Sequence, residues 1–350
     1  MNKLILAAAA LPPPMHGQAY ITVKLIEALT KESSTLHVCD LSPESLIKSL
    51  GYHVIKCRKV IKTSIYIIFY SMLYRHKTFY TIVESGYGIY YNYYLCSLAR
   101  LFHYDIYLHH HTSKHAKVFS KTFDWLTKIT PNAHHIVLAD GMREDLKSKY
   151  SNISSIAVSS NACHVKVPNI KPIIIDEKIN LGMLSNLTEE KGAIRALDLA
   201  IELKKSGLEI TLTLAGPIIE PKVEKSIIDA KTTLGEDLII LGPVHGAAKE
   251  DFYKKTDVFL FPSTYPNEAQ PVVIYEALSY GCAIITSCAG YITDMLKTES
   301  AHVYQYKNTI LESKDFVYSC IKKSKDNSPF IKKHKLSALE FNSLIKDICS

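Results

Sequence analysis

The clearest structural pattern in the chain runs from Pro262 to Gly281 and reads PSTYPNEAQPVVIYEALSYG. The β-branched and aromatic residues 258–262 predict a strand, and the polar residues that follow predict a loop. Proline is favoured in the first turn of a helix and glycine just past its end, so we expect a helix from Pro271 to Gly281. Glu268 then lies on the loop and Glu276 inside the helix.

These two glutamates would face a common space. Backbone N–H groups between Ala269 and Val273, including that of Gln270, are free at the start of the predicted helix, and such groups attract anions and hydroxyls. One carboxylate can therefore hold a sugar while the other holds a ribose.

Outward from this stretch, short apolar runs alternate with longer helical patterns, which predicts parallel sheets covered by helices. The predicted strands are Lys3–Ala8, Leu36–Cys39, Phe79–Val83, Ile106–His110, His135–Leu138, Ile156–Ser159, Ile179–Leu184, Ile210–Ala215, Leu238–Leu241, Val258–Pro262 and Ala283–Thr286. They form two doubly wound units.

The boundary between the units is predicted from the prolines at 168 and 172, in a stretch without helical periodicity. We expect an N-terminal domain over residues 1–168 and a second domain over 169–328. Leu336, Leu339, Phe341 and Ile345 then predict a closing helix over 329–350 that packs back across the hinge.

A second informative stretch, NLGMLSNLTEEKG, covers residues 180–192. Apolar residues recur at helical spacing after Gly192, which places Lys191 at or just before a helix N-terminus. A lysine is unfavourable at this positive end of the helix dipole. A bound anion would remove that conflict.

Together these stretches resemble the retaining glycosyltransferases of the GT-B fold, specifically family 4, the glycosyl transferases group 1. The resemblance rests on two glutamates with seven residues between them, Glu268 and Glu276, followed by a small apolar helix and glycine. It implies two Rossmann-like domains facing a cleft, the first on the acceptor side and the second binding the nucleotide-sugar. Glu268 would then lie on the donor sugar and Glu276 on the ribose. Lys191 would bind the diphosphate, but the arginine that the family places five positions earlier is Asn186 here.

The resemblance extends to other segments. Gly17 follows a loop similar to the family's glycine loop, where the backbone approaches the donor phosphate, although many relatives have two adjacent glycines. Val244 lies in a segment where relatives line the base-binding pocket. The family often places a histidine near the donor sugar after the fourth strand, and either His110 or His111 fits that position.

No metal site is predicted. Adjacent residues of the His109–His111 run point to opposite faces of an extended strand, so the three cannot share one ion. No DxD or HExxH motif is present. We expect a metal-independent reaction without a cofactor, in which the nucleotide-sugar is the substrate.

The charge of the chain is unevenly distributed. Residues 1–168 hold 19 lysines and arginines against 10 aspartates and glutamates, whereas the remainder holds 22 against 24. The basic first half is also rich in tyrosine between residues 66 and 107, which indicates attraction to an anionic surface such as the inner face of a membrane. A solvated basic face over buried tyrosines would give the same pattern.

Other features favour a cytoplasmic protein. The apolar run from Leu4 to Leu11 is far shorter than the roughly 20 residues of a membrane span. It is better interpreted as a buried strand than as a signal peptide. The eight cysteines form no CxxC pair, which favours free thiols.

The predicted function is transfer of a sugar, with retention, from a nucleoside-diphosphate sugar to a hydroxyl of a glycan or lipid-linked acceptor, in surface polysaccharide or glycoconjugate synthesis. Peripheral membrane contact would use the basic half, and no nucleic acid partner is expected. Two alternatives remain open: a degenerate non-catalytic GT-B subunit, and a sugar-nucleotide epimerase, for which no acid/base pair is evident.

Overall fold

The computed structural model describes residues 3–13, 17–33, 35–42, 50–170, 175–296, 303–305, 310–320 and 325–350. The chain divides into two compact units. The first unit comprises Met1–His164 with Leu336–Ser350, and the second comprises Val165–Lys335. Pro14, Met15 and His16 of the predicted glycine loop lie outside the described residues.

The first unit is a six-stranded parallel sheet with helices on it. Its strands are β1 (Leu4–Ala9), β2 (Thr35–Asp40), β3 (Lys77–Ile82), β4 (Asp105–His109), β5 (His134–Val137) and β6 (Ser155–Val158). Its helices are α1 (Gly17–Glu32), α2 (Leu50–Leu73), α3 (Ile89–Leu101), α4 (Lys114–Lys117), α5 (Lys121–Ile129) and α6 (Asp140–Lys149). The strand order is β2-β1-β3-β4-β5-β6.

The second unit repeats the plan. Its strands are β7 (Ile179–Leu184), β8 (Ile210–Ala215), β9 (Leu238–Gly242), β10 (Val258–Phe261), β11 (Ala283–Thr286) and β12 (Val303–Gln305). Its helices are α7 (Ala193–Lys205), α8 (Pro221–Leu234), α9 (Gly246–Lys255), α10 (Val272–Ser279), α11 (Ile292–Met295) and α12 (Ile310–Cys320). The strand order is β12-β11-β10-β7-β8-β9.

Each sheet has a point where the direction of winding reverses. In the second unit the chain runs outward from β7 through β8 to β9, then returns to β10 on the other side of β7. In the first unit the reversal falls between β1 and β3. Ligands of open α/β sheets bind in the crevice beyond the carboxyl ends of the strands at such a point.

All eleven predicted strands are present, with ends within two residues of those predicted. The three-residue strand β12 was not predicted, because so short a run has no detectable period. The helix predicted from Pro271 to Gly281 is shorter: Pro271 is extended and caps α10, which ends at Ser279. Gly281 follows with a φ of 70°, a conformation that favours glycine.

The last helix, α13 (Ser328–Cys349), begins in the second unit and ends in the first. The four apolar residues whose spacing indicated this helix are not all buried. Leu336 and Leu339 are exposed, whereas Leu344, Ile345 and Ile348 are buried in the first unit's core against residues such as Ile5 and Leu25. Phe341, which was predicted, packs at the edge of that core.

Within the described ranges, no helix is long and apolar enough to span a bilayer. All eight cysteines are free thiols, as the sequence predicted. The first strand, Leu4–Ala9, is buried along its whole length.

Candidate functional site

The loop that follows β7 is held against the loop that follows β10. Thr264 donates its backbone N–H to the carbonyl of Glu190 at 2.7 Å, and the Ser263 hydroxyl donates to the same carbonyl at 3.2 Å. Gly192, with a φ of 92°, lies so close to Pro262 that a Cβ would come within 2.5 Å of the Pro262 carbonyl oxygen. Only glycine allows both this conformation and this approach.

This contact fixes the backbone of Lys191, which lies two residues before α7 as predicted. The Lys191 backbone N–H donates to the Thr188 hydroxyl at 3.1 Å. The lysine side chain, about a quarter exposed, passes over the ring of Tyr265, with Nζ 4.6 Å from the ring centroid. An ammonium in that position is attracted to the negative face of the ring.

Glu268 is held in the opposite loop. Its backbone N–H donates to the Tyr265 carbonyl at 3.3 Å, and the residue is only 7% exposed. Gly290, with a φ of 56°, packs against its main chain: a Cβ on Gly290 would lie 1.6 Å from the Glu268 carbonyl oxygen. The position of Glu268 therefore depends on the lack of a side chain at residue 290.

Lys191 and Glu268 form an ion pair between Nζ and Oε1. The Glu268 side chain is 8% exposed, so removing Lys191 would leave a largely buried carboxylate without its partner. The pair places a positive and a negative group together, beyond the carboxyl ends of the adjacent strands β7 and β10. This is the reversal point of the second sheet, where the fold is expected to bind a ligand.

Arg195 also supports this site and was not singled out from the sequence. Its Nη1 donates to the Pro262 carbonyl at 3.1 Å and to the Thr264 hydroxyl at 3.3 Å. It therefore links the first turn of α7 to the loop that carries Glu268. Sequence spacing gave no signal for it, because Lys191 and Gly192 precede α7 and helical spacing does not apply to them.

Glu276 has different partners. It lies on α10, and its two carboxylate oxygens bind Lys249 Nζ at 2.6 Å and the Tyr253 hydroxyl at 2.8 Å. Both partners lie on α9. Burial and the neighbouring Glu276 carboxylate raise the pKa of Tyr253 well above its ordinary value, so Tyr253 remains a hydrogen-bond donor to Glu276.

The remaining predicted residues of the second unit differ in exposure. Asn186 is exposed in the loop after β7, and Val244 is half-buried before α9. Ala269 and Gln270 are buried beside Glu268. Asn186 and Val244 are thus accessible to a ligand, whereas Ala269 and Gln270 present little side-chain surface.

In the first unit, Gly17 is exposed at the start of α1, in the loop region that follows β1. A Cβ added to it would meet no atom within 4 Å. No described residue therefore requires glycine at this position, and the space beside it is open.

The three consecutive histidines point to opposite faces, as the sequence argument required. His110 is buried, with Nε2 2.9 Å from Nδ1 of His135, and burial together with His135 lowers the pKa of His110 well below its ordinary value. His109 and His111 lie on the other side with their ring centroids 4.0 Å apart. His111 is half-buried, so it has more access to a ligand than His110.

No group of three or more His, Cys, Asp or Glu side chains among the described residues is arranged to hold a metal ion. Of the predicted site residues, Lys191 and Glu268 are brought into direct contact, while Glu276 contacts α9 instead. Gly17, His110 and His111 belong to the first unit. Four residues of the site were not predicted, because they lie on elements whose pairing sequence spacing does not show: Tyr265, Arg195, Lys249 and Tyr253.

Comparison with known proteins agrees with this architecture. The lipopolysaccharide outer core galactosyltransferase WaaB in its apo form has a TM-score of 0.69 and 17% identity, with 99% of each chain covered. Anabaena Alr3699/HepE in complex with UDP has a TM-score of 0.65 and 15% identity, with 98% of this chain and 97% of that chain covered. TarM has a TM-score of 0.58 and 16% identity; the match covers 82% of this chain, which spans only 55% of TarM.

The chain therefore has the GT-B fold. Residues 169–332 match the family model of the glycosyl transferases group 1. Together, the family match and the fold support placing the chain in the GT-B glycosyltransferase superfamily. No curated protein sequence matches the chain.

Proposed function

We propose that the protein is a glycosyltransferase that moves a sugar, with retention, from a nucleoside-diphosphate sugar to a hydroxyl of a glycan or lipid-linked acceptor. The observation that carries the proposal is the joining of Lys191 and Glu268 at the reversal point of the second sheet. The group 1 family match over residues 169–332 supports the same reaction.

Lys191 fits the leaving group of that reaction. When the bond between the anomeric carbon and the diphosphate oxygen breaks, negative charge develops on the diphosphate, and a fixed positive group there lowers the barrier. Lys191 lies beside the N-terminus of α7, which adds the partial positive charge of the helix end. A bound diphosphate would also relieve the conflict between a lysine and that helix end.

Glu268 fits the sugar. An ionised carboxylate has four acceptor sites and only one is used by Lys191 in the structure, so sugar hydroxyls can donate to the rest. Its near-complete burial excludes water from that contact. Gln270 and Ala269 would form the floor beside it.

Glu276 fits the ribose of the donor. Lys249 and Tyr253 hold its carboxylate in one orientation, and each oxygen retains a second lone pair for a ribose hydroxyl. Val244, just before α9, would lie near the base. Asn186 would offer neutral hydrogen bonds to the diphosphate, in place of a second cation.

In the first unit, the open space at Gly17 suits the approach of a phosphate to the backbone. We assign the family's histidine role to His111, because His110 is bonded to His135 in the interior. The acceptor would bind to this unit.

The similar structures suggest where to begin with substrates. HepE was solved with UDP, and WaaB is a lipopolysaccharide outer core galactosyltransferase. We therefore propose a surface glycan or its lipid-linked precursor as the acceptor, and we would test UDP-sugars first.

The test of the site uses single and matched substitutions. We expect Lys191→Ala to lower the rate of nucleoside diphosphate release about 100-fold or more, as for loss of one charge-stabilising group, and Glu268→Gln to have a similar effect. The control is the exposed ion pair Lys222–Glu189 in the same region, joined at 2.7 Å. Lys222→Ala and Glu189→Gln should leave the rate within about twofold, because exposed pairs contribute little.

Near-normal turnover of both site variants would contradict the assignment. Donor binding without turnover in the wild-type protein would favour a non-catalytic subunit. Epimerised nucleotide-sugar instead of released diphosphate would favour an epimerase. The anomeric configuration of the product, measured by NMR, tests retention, and full activity in EDTA tests independence from metal.

A further inference from the structure

The outer side of α2 is apolar along most of its length. Val54, Ile61, Ile65, Ile68 and Met72 recur at helical spacing, and each is exposed, Met72 at 73% and Ile65 at 60%. The stripe is about 27 Å long at the rise of an α-helix. Soluble surfaces scatter single apolar residues, but a continuous stripe marks an interaction site.

The helix beside α2 also exposes aromatic side chains. α3 contacts α2, and it exposes Tyr90 and Tyr94, one turn apart. Tyrosine is enriched where an apolar phase meets water. We name the α2 stripe with Tyr90 and Tyr94 the outer apolar surface.

The charge of this surface has one sign. α2 and α3 contain no aspartate or glutamate, and they carry Lys56, Arg58, Lys59, Lys62 and Arg100. Anionic surfaces attract such a segment, and cations at the flank of an apolar face are typical of helices that lie in a membrane interface.

The basic side chains of α2 point either toward the interior of the first unit or toward solvent. Lys56 and Lys59 turn inward and pair with Glu84 at 3.2 Å and Asp40 at 2.6 Å. Arg58 and Lys62 are exposed one turn apart beside the apolar stripe, and within the described ranges neither forms an ion pair. Lys56 and Lys59 therefore stabilise the fold, whereas Arg58 and Lys62 are available to a partner.

We propose that the outer apolar surface is a docking surface for an anionic lipid bilayer, with α2 lying in the plane of the interface. A second copy of this chain is disfavoured as the occupant. A symmetric dimer pairs a patch with itself, which would bring the unbalanced charges of Arg58 and Lys62 near their own copies. This inference goes beyond the proposed reaction and does not depend on it.

The test is cosedimentation of the full chain with vesicles of phosphatidylcholine alone or mixed with an equal amount of phosphatidylglycerol. We expect binding to the anionic vesicles only, with weaker binding at high salt. Ile61→Ser with Ile65→Ser should lower the partition coefficient by tenfold or more, since each loses buried apolar surface. Arg58→Glu with Lys62→Glu should lower it by at least as much.

Matched controls lie on α8 of the second unit. Ile228 is 62% exposed, and Lys225 and Lys231 are exposed on the same helix. Ile228→Ser removes one exposed isoleucine where the stripe variant removes two, and Lys225→Glu with Lys231→Glu reverses two charges as the α2 charge variant does. Both control variants should leave vesicle binding unchanged. Circular dichroism melting confirms that every variant is folded.

Three results would overturn the proposal: no vesicle binding by the wild-type chain, equal loss in the α8 controls, or equal binding to both kinds of vesicle. Sedimentation velocity examines the alternative occupant. A dimer that the stripe substitutions dissociate, without any effect on vesicles, would assign the surface to a second copy of the chain.

Discussion

Gly290→Ala should abolish the proposed transferase activity by displacing Glu268, although residue 290 carries no functional group. Two costs are expected from the structure. Gly290 has a φ of 56°, and an L-residue there costs about 1–2 kcal/mol. The new Cβ would also lie 1.6 Å from the Glu268 carbonyl oxygen, where real contacts are essentially never under 3.0 Å.

The two segments must therefore separate by more than an ångström. A displacement of about 1 Å in a catalytic group can lower a rate by about 100-fold. Overpacking adds about 1–3 kcal/mol of destabilisation to the conformational cost. For a domain of this size each kcal/mol corresponds to about 2–4 °C in melting temperature.

Gly207→Ala is the matched control. Gly207 has a φ of 86°, but a Cβ there would meet no atom within 4 Å. It follows the end of α7, where glycine is common for conformational reasons alone. This variant incurs the conformational cost without the clash, so it should lower the melting temperature modestly and leave the activity unchanged.

The assay is nucleoside diphosphate release from the donor, measured below the melting transitions of both variants, together with their melting curves. We expect Gly290→Ala to lose about 100-fold in rate and Gly207→Ala to stay within about twofold. Equal rates and equal melting shifts for the two variants would refute the claim that Gly290 positions Glu268.

Three further predictions concern charge and protonation. Asn186→Arg should tighten nucleoside diphosphate binding about tenfold by adding a charge-assisted contact, whereas Asn186→Gln should not. The affinities of the two variants are compared by isothermal titration calorimetry, and equal affinities would exclude Asn186 from the diphosphate site. Glu276→Gln should raise KM for the donor about tenfold with a smaller effect on kcat, and an unchanged KM would remove Glu276 from the ribose site. Burial lowers the pKa of His135 from 6.5 to about 3, so below pH 6.5 the unfolded chain binds a proton that the folded chain does not, and the free energy of unfolding falls as pH falls. Denaturant titrations should show that His135 accounts for a loss of about 2 kcal/mol in this free energy between pH 7 and 5. His135→Gln should abolish that loss.

Much of the fold follows from local sequence. The runs that form β7 and β10 are short, largely apolar and bounded by polar loops, and both were located to within a residue. The position of Lys191 before α7 followed from helical spacing after Gly192. These features depend on neighbouring residues, so one sequence is enough to predict them.

The packing of α13 shows where local pattern fails. Leu336 and Leu339 have helical spacing with Phe341 and Ile345, yet they are exposed, and Leu344 and Ile348 are buried instead. Two apolar stripes lie side by side on this helix. Which stripe is buried depends on the surface that receives it, and that surface comes from distant strands such as β1.

The candidate site was also predicted only in part from local sequence. Residue types and spacing indicated Lys191, Glu268 and Glu276, but the partners of Glu276 on α9 had no local signal because they lie more than 20 residues away. Alternation along the strand predicted that His110 and His111 point apart. It did not predict which of them is buried, since both faces of this sheet are covered.

Donor binding is tested most directly by a screen of nucleotide-sugars by thermal shift and by slow donor hydrolysis, with and without EDTA. We expect one nucleotide-sugar to raise the melting temperature, by the equivalent of about 2.7 kcal/mol at 100 times its Kd. We also expect release of the nucleoside diphosphate at the same rate in EDTA. If none of them stabilises the wild-type chain or is hydrolysed, then Lys191 and Glu268 are not a donor site and the proposed transfer reaction is contradicted.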